Sequence, residues 1–243
     1  GGVPVIADET NYTADVDQIL SKVSDKTRMV FLANPNNPTG TYLPEKELAR
    51  LQKGLPENVL LVLDGAYAEY VGAGDYDSGL ELVHECPNVV MTRTFSKVYG
   101  LASLRLGWAY CPVSVADVLN RIRGPFNVSG PAMAAGIASV EDEDFMRASV
   151  AHNSKWRDIL TKEISGLGIE VTPSVANFVL LHFAPDGDKT AALADKFLLE
   201  NGIVLRRVDS YKFPNALRAT IGSEDANNKL ISLLDKFMSG GGA

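Results

Sequence analysis

Short apolar segments alternate with amphipathic segments along the first half of the chain. The apolar segments are rich in aliphatic residues and have the length of buried strands. They lie at Val3–Ile6, Met29–Ala33, Val59–Leu63, Val89–Thr92 and Leu106–Tyr110. The segments between them have helical spacing at Asp15–Val23, Pro44–Lys53 and Ser78–His84. This alternation predicts an α/β layer with a largely parallel, buried sheet.

The pattern changes near residue 113. Helices are predicted at Val113–Arg121, Pro131–Val140 and Lys189–Asn201, and a long stretch of mixed polarity runs from Asp142 to about Leu167. Short strands are predicted at Ile169–Val171, Phe178–His182, Ile203–Arg206 and Leu217–Ile221. Gly202 suits the position after a helix end, and Ser223 suits the cap of a final helix. The change predicts two domains, residues 1–140 and 141–243, with a disordered tail at Ser239–Ala243.

Composition narrows the class of protein. The 243 residues are 46% hydrophobic and 22% charged, as in globular proteins, and the net charge of −7 argues against nucleic acid as a partner. Cys86 and Cys111 show no metal-ligand or disulfide spacing, and the histidines show none either, so we expect no metal site and a reducing cytoplasm. No apolar run reaches transmembrane length, which predicts no membrane partner. The apolar opening after Gly1 suggests the interior of a longer protein.

The segment MTRTFSKVYGLASLRLGWAY carries the most specific chemistry. Thr94 and Ser96 precede Lys97, and Arg105 follows eight residues later. A lysine can form a Schiff base with an aldehyde, while hydroxyls and a guanidinium can hold a phosphate. This combination suits pyridoxal 5′-phosphate, although a lysine taken alone is more often an exposed surface residue.

Three polar motifs each follow a predicted strand. They are Asn34–Gly40, Asp64–Tyr67 and Thr94–Lys97. Ligands of open α/β sheets bind beyond the carboxyl ends of the strands, so we expect these motifs to share one pocket.

Asp64, Tyr67 and Asn37 offer groups that complement a pyridoxal ring. A carboxylate at Asp64 would keep the pyridine nitrogen protonated, and Tyr67 and Asn37 could donate hydrogen bonds to the ring's 3′ oxygen. Each also has an ordinary interpretation: a turn cap for Asp64, turn chemistry for Asn37 and a half-buried aromatic for Tyr67.

The motifs NPNNPTG, DGAY and TFSK with Arg105, in this order, resemble those of the fold-type I aminotransferases that depend on pyridoxal phosphate. Val98 departs from the pattern, because these enzymes usually have a small residue there. The resemblance implies a three-layer large domain with a mostly parallel sheet and a smaller α+β C-terminal domain. It also implies catalytic roles for Lys97, Asp64 and Tyr67, small-molecule amino-donor and 2-oxo-acid substrates, a homodimer and a missing N-terminal segment.

Within these enzymes, GIVLRRVDSYKFPNALRATIG followed by SEDAN is most similar to the histidinol-phosphate aminotransferases. That resemblance implies that Arg218 clamps a substrate anion and that Arg206 helps bind the substrate phosphate, unless the adjacent Arg207 serves instead. The substrates would be L-histidinol phosphate and 2-oxoglutarate, in histidine biosynthesis. An aromatic amino-acid aminotransferase, a threonine-phosphate decarboxylase and an inactive scaffold with this fold remain alternatives.

Overall fold

The computed structural model describes residues 2–240, which form two compact units. The first comprises the chain up to residue 36 together with residues 42–149, and the second comprises residues 37–41 together with the chain from residue 150. The units divide inside a long helix, whereas the predicted boundary near residue 141 lies at the start of that helix. The assignment of residues 1–140 and 141–243 to functional domains stays a prediction.

The first unit contains a four-stranded mixed sheet. A separate antiparallel ribbon of β1 (Glu9–Thr10) and β2 (Thr13–Ala14) precedes it in the chain. The strands of the sheet are β3 (Met29–Ala33), β4 (Leu60–Asp64), β5 (Val89–Thr94) and β6 (Gly107–Tyr110). The order in the sheet is β3-β4-β5-β6. The first three strands are parallel and β6 runs antiparallel to β5. The predicted α/β class with a largely parallel sheet is therefore confirmed.

Helices precede, separate and follow the strands of this sheet. They are α1 (Val16–Ser21), α2 (Glu45–Gly54), α3 (Leu80–Glu85), α4 (Val113–Ile122) and α5 (Gly130–Glu141). Asp15 caps α1, because its carboxylate accepts the N–H groups of residues 17 and 18 at 2.9 and 3.1 Å. Leu48 and Leu51 of α2 are buried in one core cluster with Leu61 and Met91 of the sheet. The apolar spacing of this helix therefore anchors it to the strands that end at the candidate site.

The strand predicted at Val3–Ile6 is wrong. These residues adopt no regular structure, and the side chains of Val3 and Ile6 are 86% and 74% exposed. An apolar segment becomes a strand only where a neighbouring strand accepts its backbone hydrogen bonds, and within residues 2–240 no strand pairs with this one.

The second unit is built on an antiparallel sheet. Its strands are β7 (Glu170–Thr172), β8 (Phe178–His182), β9 (Arg206–Arg207) and β10 (Ala216–Thr220), in the order β7-β8-β10-β9. Its helices are the later part of α6 (Glu143–Gly166), α7 (Ala191–Glu200) and α8 (Glu224–Met238). Strands and helices thus form an α+β arrangement, as expected for the C-terminal part of the chain.

The core of this unit lies between its helices and β8 and β10. Trp156, Leu160 and Ile164 recur at helical spacing on the buried face of α6. Leu160 and Ile164 belong to one cluster with Leu181 of β8 and Leu234 of α8. The stretch from residue 142 to 167, which sequence polarity left unassigned, is a helix because this apolar stripe finds a core to cover.

Single residues mark the end of α7 and the start of α8. Gly202 follows α7 with a φ of 76°, and the Ile203 N–H donates to the Leu198 carbonyl at 2.8 Å. The Ile203 amide thus closes the helix, so the strand predicted at Ile203–Arg206 is observed only at Arg206–Arg207. Ser223 caps α8 as predicted, since its hydroxyl accepts the Ala226 N–H at 3.3 Å.

Within residues 2–240, no helix combines the length and the apolar character that crossing a lipid bilayer requires. Of the predicted disordered tail, Ser239 ends α8 as its cap, and residues 241–243 lie outside the described residues.

Candidate functional site

The parallel strands β3, β4 and β5 end at one edge of the first unit's sheet. Ala33 lies opposite Asp64 in the register, and Asp64 lies opposite Thr92. The Asn34 N–H donates to the Asp64 carbonyl at 3.0 Å, which ties the ends of two strands together. Two of the predicted motifs, the loop from Asp64 to Tyr67 and the loop from Thr94 to Lys97, therefore leave adjacent strands at the same edge.

Lys97 and Tyr67 come together at this edge. The Lys97 Nζ lies 5.0 Å from the centroid of the Tyr67 ring, and Tyr67 is buried. Asp64 is exposed, and its carboxylate accepts the Ala66 N–H at 3.1 Å, as in the turn-cap interpretation. One carboxylate oxygen remains for a ligand, so the cap does not exclude a binding role.

Ser96 and Arg105 also converge. The Arg105 guanidinium lies 3.4 Å from the Ser96 hydroxyl and donates to the Ala102 carbonyl at 2.7 Å. Arg105 has a φ of 53°, in the left-handed region that non-glycine residues seldom adopt. The Thr94 hydroxyl instead accepts the Ser96 N–H at 3.0 Å, which shapes the turn before Lys97. A cation, two hydroxyls and a lysine thus occupy one short loop.

Val98, which departs from the family pattern, is buried with 2% of its surface exposed. The Lys97 carbonyl accepts the Gly100 N–H at 2.9 Å, and the Phe95 carbonyl accepts the Leu101 N–H at 2.9 Å. A closed loop of this kind directs Val98 into the protein interior while Lys97 stays accessible. The valine is therefore compatible with the position of the lysine.

An ion pair that the sequence reasoning missed lies beside these loops. Arg93 of β5 is 3.3 Å from the Glu69 carboxylate and 3.4 Å from the Gly65 carbonyl. Burial raises the pKa of the Glu69 carboxyl, and the Arg93 charge opposes that rise. A sequence signal did exist, because Arg93 is the one charged residue of β5 (Val89–Thr94).

In the second unit, two arginines face each other. Arg218 of β10 and Arg206 of β9 are direct partners in the antiparallel register, which places both side chains on one face of the sheet. Arg207 faces the other side and forms an ion pair with Asp209 at 2.7 Å. The geometry therefore favours Arg206 over Arg207 as the companion of Arg218.

Arg218 is held in place by its neighbours. Its guanidinium lies 4.8 Å from the centroid of the Phe178 ring and donates to the Asn37 Oδ1. In the described part of the chain, the buried Nε of Arg218 has no hydrogen-bond partner, and Arg206 forms no ion pair. Like charges directly opposite on neighbouring strands repel, so this pair is suited to an anion.

Asn37 belongs to the segment 37–41, which packs with the second unit although it follows β3. The Gly40 carbonyl accepts the Val175 N–H at 2.8 Å, and Gly40 has a φ of 77°. Because the Asn37 Oδ1 accepts the hydrogen bond from Arg218, the Asn37 Nδ2 is the donor that this side chain offers to a ligand. The structure thus joins Lys97 with Tyr67 and Asn37 with Arg218, whereas a single pocket for all three motifs stays a prediction.

Within the described residues, no group of three or more histidine, cysteine, aspartate or glutamate side chains is arranged to hold a metal ion. Cys86 and Cys111 are free thiols.

An α/β fold with a lysine, an aspartate and an arginine–serine pair at its strand ends defines a protein of the aminotransferase class. The chain belongs to the family described as aminotransferase class I and II, which matches residues 2–234.

Several proteins similar to this chain are named histidinol-phosphate aminotransferase. The chain is 54% identical over 239 residues to a histidinol-phosphate aminotransferase of Nitrobacter winogradskyi, covering 98% of this chain and 66% of that protein. It is 56% identical over 234 residues to the enzyme of the same name from Maricaulis maris, covering 96% of this chain and 65% of that protein. A crystal structure of histidinol-phosphate aminotransferase from Sinorhizobium meliloti, in complex with pyridoxal-5′-phosphate, matches with a TM-score of 0.86 and 28% identity, covering 95% of this chain and 63% of that one. The chain thus spans about two thirds of the length of these relatives.

Proposed function

We propose that the protein is an aminotransferase that uses pyridoxal 5′-phosphate to transfer the amino group between L-histidinol phosphate and 2-oxoglutarate. The observation that carries the proposal is the placement of the Lys97 Nζ 5.0 Å from the Tyr67 ring, on a loop that leaves the strand next to that of Asp64. The names of the relatives at 54% and 56% identity support the choice of substrate.

The residues present fit this cofactor by their donor chemistry. When bound, pyridoxal phosphate supplies an aldehyde that condenses with amines and an electron-withdrawing ring. Lys97 offers the amine. Thr94, Ser96 and Arg105 offer hydroxyl and guanidinium donors to a phosphate, and the 3.4 Å approach of Arg105 to Ser96 supports a shared anion.

Each remaining side chain has a defined task in the proposal. The Asp64 carboxylate would hold a proton on the ring nitrogen, which would strengthen electron withdrawal. The Tyr67 hydroxyl and the Asn37 Nδ2 would each be a donor for the ring's 3′ oxygen. The Lys97 Nζ would take the proton from the carbon that bears the donor's amino group, acting as a general base and then as an acid.

Arg218 and Arg206 bind the substrate anion in this proposal. L-histidinol phosphate carries a phosphate and no carboxylate, whereas glutamate carries carboxylates, so one arginine pair would serve both half-reactions in turn. A planar guanidinium group can form bidentate hydrogen bonds with a phosphate or with a carboxylate. Alternation of two substrates over one site predicts ping-pong kinetics.

The proposal extends to assembly and location. A homodimer follows from the resemblance to this family, and the apolar side chains of Val113, Ile122 and Phe126, which are 85%, 74% and 96% exposed, support an association surface on the first unit. Sedimentation analysis of the purified protein would test the dimer. Two free cysteines accord with a reducing cytoplasm.

The decisive test is an absorbance spectrum of the protein after addition of pyridoxal phosphate, before and after addition of L-histidinol phosphate without any 2-oxo acid. Conversion of the lysine-bound cofactor to pyridoxamine phosphate would support the half-reaction. Conversion by phenylalanine but not by L-histidinol phosphate would favour the aromatic enzyme. Release of carbon dioxide from threonine phosphate would favour the decarboxylase.

A lysine variant controls for nonspecific binding of the aldehyde. Lys97→Ala should abolish turnover, whereas Lys46→Ala, which removes an exposed lysine of α2, should leave it unchanged. Turnover retained in Lys97→Ala would refute the assignment. If the unchanged chain acquires no cofactor absorbance, a version extended to the length of the relatives should be tested, and failure there would support the inactive scaffold.

A further inference from the structure

The ion pair between Glu69 and Arg93 has no task in the chemistry proposed above, yet it lies beside the loop that performs it. Both side chains are largely buried, with 15% and 16% of their surfaces exposed. Arg93 lies on β5, directly before Thr94, and Glu69 lies two residues after Tyr67. The pair therefore bridges the strand that leads to Lys97 and the loop that carries Asp64 and Tyr67.

Burial of two charges is a cost that stability alone does not explain. Removing a carboxylate and a guanidinium from water offsets most of their mutual attraction, so an apolar pair of similar size is often equally stable. The Arg93 Nε is buried without a hydrogen-bond partner in the described part of the chain, which adds to the cost. A buried ion pair of this kind fixes the relative position of the two segments that carry its charges.

Gly65 makes that geometry possible. A Cβ at this position would lie 3.2 Å from the Arg93 Cδ and 3.3 Å from the Thr92 carbonyl oxygen. The Gly65 N–H donates to the same Thr92 carbonyl at 3.0 Å, and the Gly65 carbonyl lies 3.4 Å from the Arg93 guanidinium. The Arg93 side chain thus lies against Gly65, in space that a side chain at residue 65 would occupy.

The surroundings of the pair are also polar and enclosed. The Tyr76 hydroxyl donates to the Asn34 carbonyl at 2.8 Å, at the end of the neighbouring strand. Burial raises the pKa of both Tyr76 and Tyr99, and the charges of Arg93 and Glu69 act on each of them. The Tyr76 hydrogen bond thus reaches the end of β3, and the ion pair lies within electrostatic range of this tyrosine.

We propose that Arg93, Glu69 and Gly65 form a positioning lock that holds the loop of Asp64 and Tyr67 in register with the strand that leads to Lys97. The three residues act through that loop and do not touch substrate or cofactor themselves. The inference rests on the proposed function for its consequence in catalysis. Its structural part, the restraint of residues 64–70, can be measured without any cofactor.

The first experiment is amide hydrogen exchange of residues 64–70 in cofactor-free protein. Arg93→Met should raise exchange in this segment by about tenfold or more, because loss of the cation leaves Glu69 buried without a partner. Arg93→Lys, which keeps the charge, should give an intermediate rate. Arg121→Met removes an exposed ion pair of α4 and should leave the segment unchanged.

The second experiment measures the cofactor-loaded protein. Arg93→Met and Gly65→Ala should each lower kcat by about tenfold to a hundredfold, since small displacements of catalytic groups reduce rates on that scale, while KM changes little. Both variants should also shift the pH at which the absorbance of the lysine-bound cofactor titrates. In the proposed function, Asp64 and Tyr67 contact that cofactor and influence its titration. If the pair only stabilised the fold, its removal would lower the melting temperature without shifting this titration.

The outcomes separate the two proposals. Exchange in residues 64–70 that is unchanged by Arg93→Met and by Glu69→Gln would overturn the lock, whatever the activity. Faster exchange with an unmoved titration and an unchanged kcat would overturn its positioning role. If the unchanged protein and its longer version bind no pyridoxal phosphate, the proposed function fails, and the exchange result alone supports or overturns the lock.

Discussion

Replacement of Gly40 by alanine tests how closely the segment 37–41 approaches the rest of the second unit. Gly40 has a φ of 77°, and an added Cβ would lie 2.6 Å from the Ser174 Cβ and closer still to its hydroxyl. Ser174 cannot easily retreat, because its hydroxyl donates to the Phe178 carbonyl at 2.6 Å and accepts the Ala176 N–H at 3.1 Å. The substitution therefore combines backbone strain with overpacking.

Two contributions set the expected magnitude. A side chain in the left-handed region costs about 1–2 kcal/mol. Overpacking against a fixed neighbour costs about 1–3 kcal/mol more. Gly40→Ala should therefore lower the free energy of unfolding by about 2–5 kcal/mol, and each kcal/mol corresponds to about 2–4 °C in Tm for a chain of this size.

Gly187→Ala is the matched control, since Gly187 has a φ of 81° in the same unit and an added Cβ meets nothing within 4 Å. It should show only the backbone cost, about 1–2 kcal/mol. Urea unfolding followed by circular dichroism would measure both variants. Ser174→Gly should cost less stability in Gly40→Ala than in the unchanged protein, because it removes the atoms that the new Cβ meets.

Equal losses in Gly40→Ala and Gly187→Ala would refute the reasoning, because the approach to Ser174 would then contribute nothing. An equal cost of Ser174→Gly in the presence and in the absence of Gly40→Ala would contradict it independently.

Three further perturbations test the second unit, each by urea unfolding. Leu160→Ala should cost about 2–5 kcal/mol, because Leu160 is fully buried in the core, whereas Leu199→Ala, at an exposed position, should cost less than about 0.5 kcal/mol. Ser223→Ala should cost about 1 kcal/mol through loss of the α8 cap, and an unchanged stability would contradict the cap. Burial lowers the pKa of His182 from 6.5, so the unfolded state takes up its proton first and stability should fall as the pH drops below about 6.5. His182→Asn should reduce that fall, and an identical pH profile would show that another group causes it.

Local chemistry was enough to predict many of the elements. The strands Met29–Ala33 and Phe178–His182 were predicted with their observed bounds, because continuous apolar runs of that length bury well in a sheet. Gly202 and Ser223 marked a helix end and a helix start correctly, since both signals act within one turn of chain. The wrong strand at Val3–Ile6 shows the limit, because an apolar run also needs a partner strand.

The candidate site divides in the same way. Sequence alone was enough to select six candidate residues, because their types suit cofactor binding and they follow predicted strands. They are Lys97, Asp64, Tyr67, Thr94, Ser96 and Arg105. The charged pair behind them was not selected, because Glu69 and Arg93 lie 24 residues apart and meet only when β4 and β5 pair.

The sequence by itself determined the alternation of elements, the family motifs and the residue types that can bind a cofactor phosphate and an anion, since these depend on neighbours along the chain. Only the tertiary structure decided that Arg206 and not Arg207 faces Arg218, because strand register selects which side chains share a face. It also decided that residues 37–41 pack with the second unit, where Asn37 meets a residue 181 positions later. Contacts at that separation depend on how strands and helices pack, which no local pattern encodes.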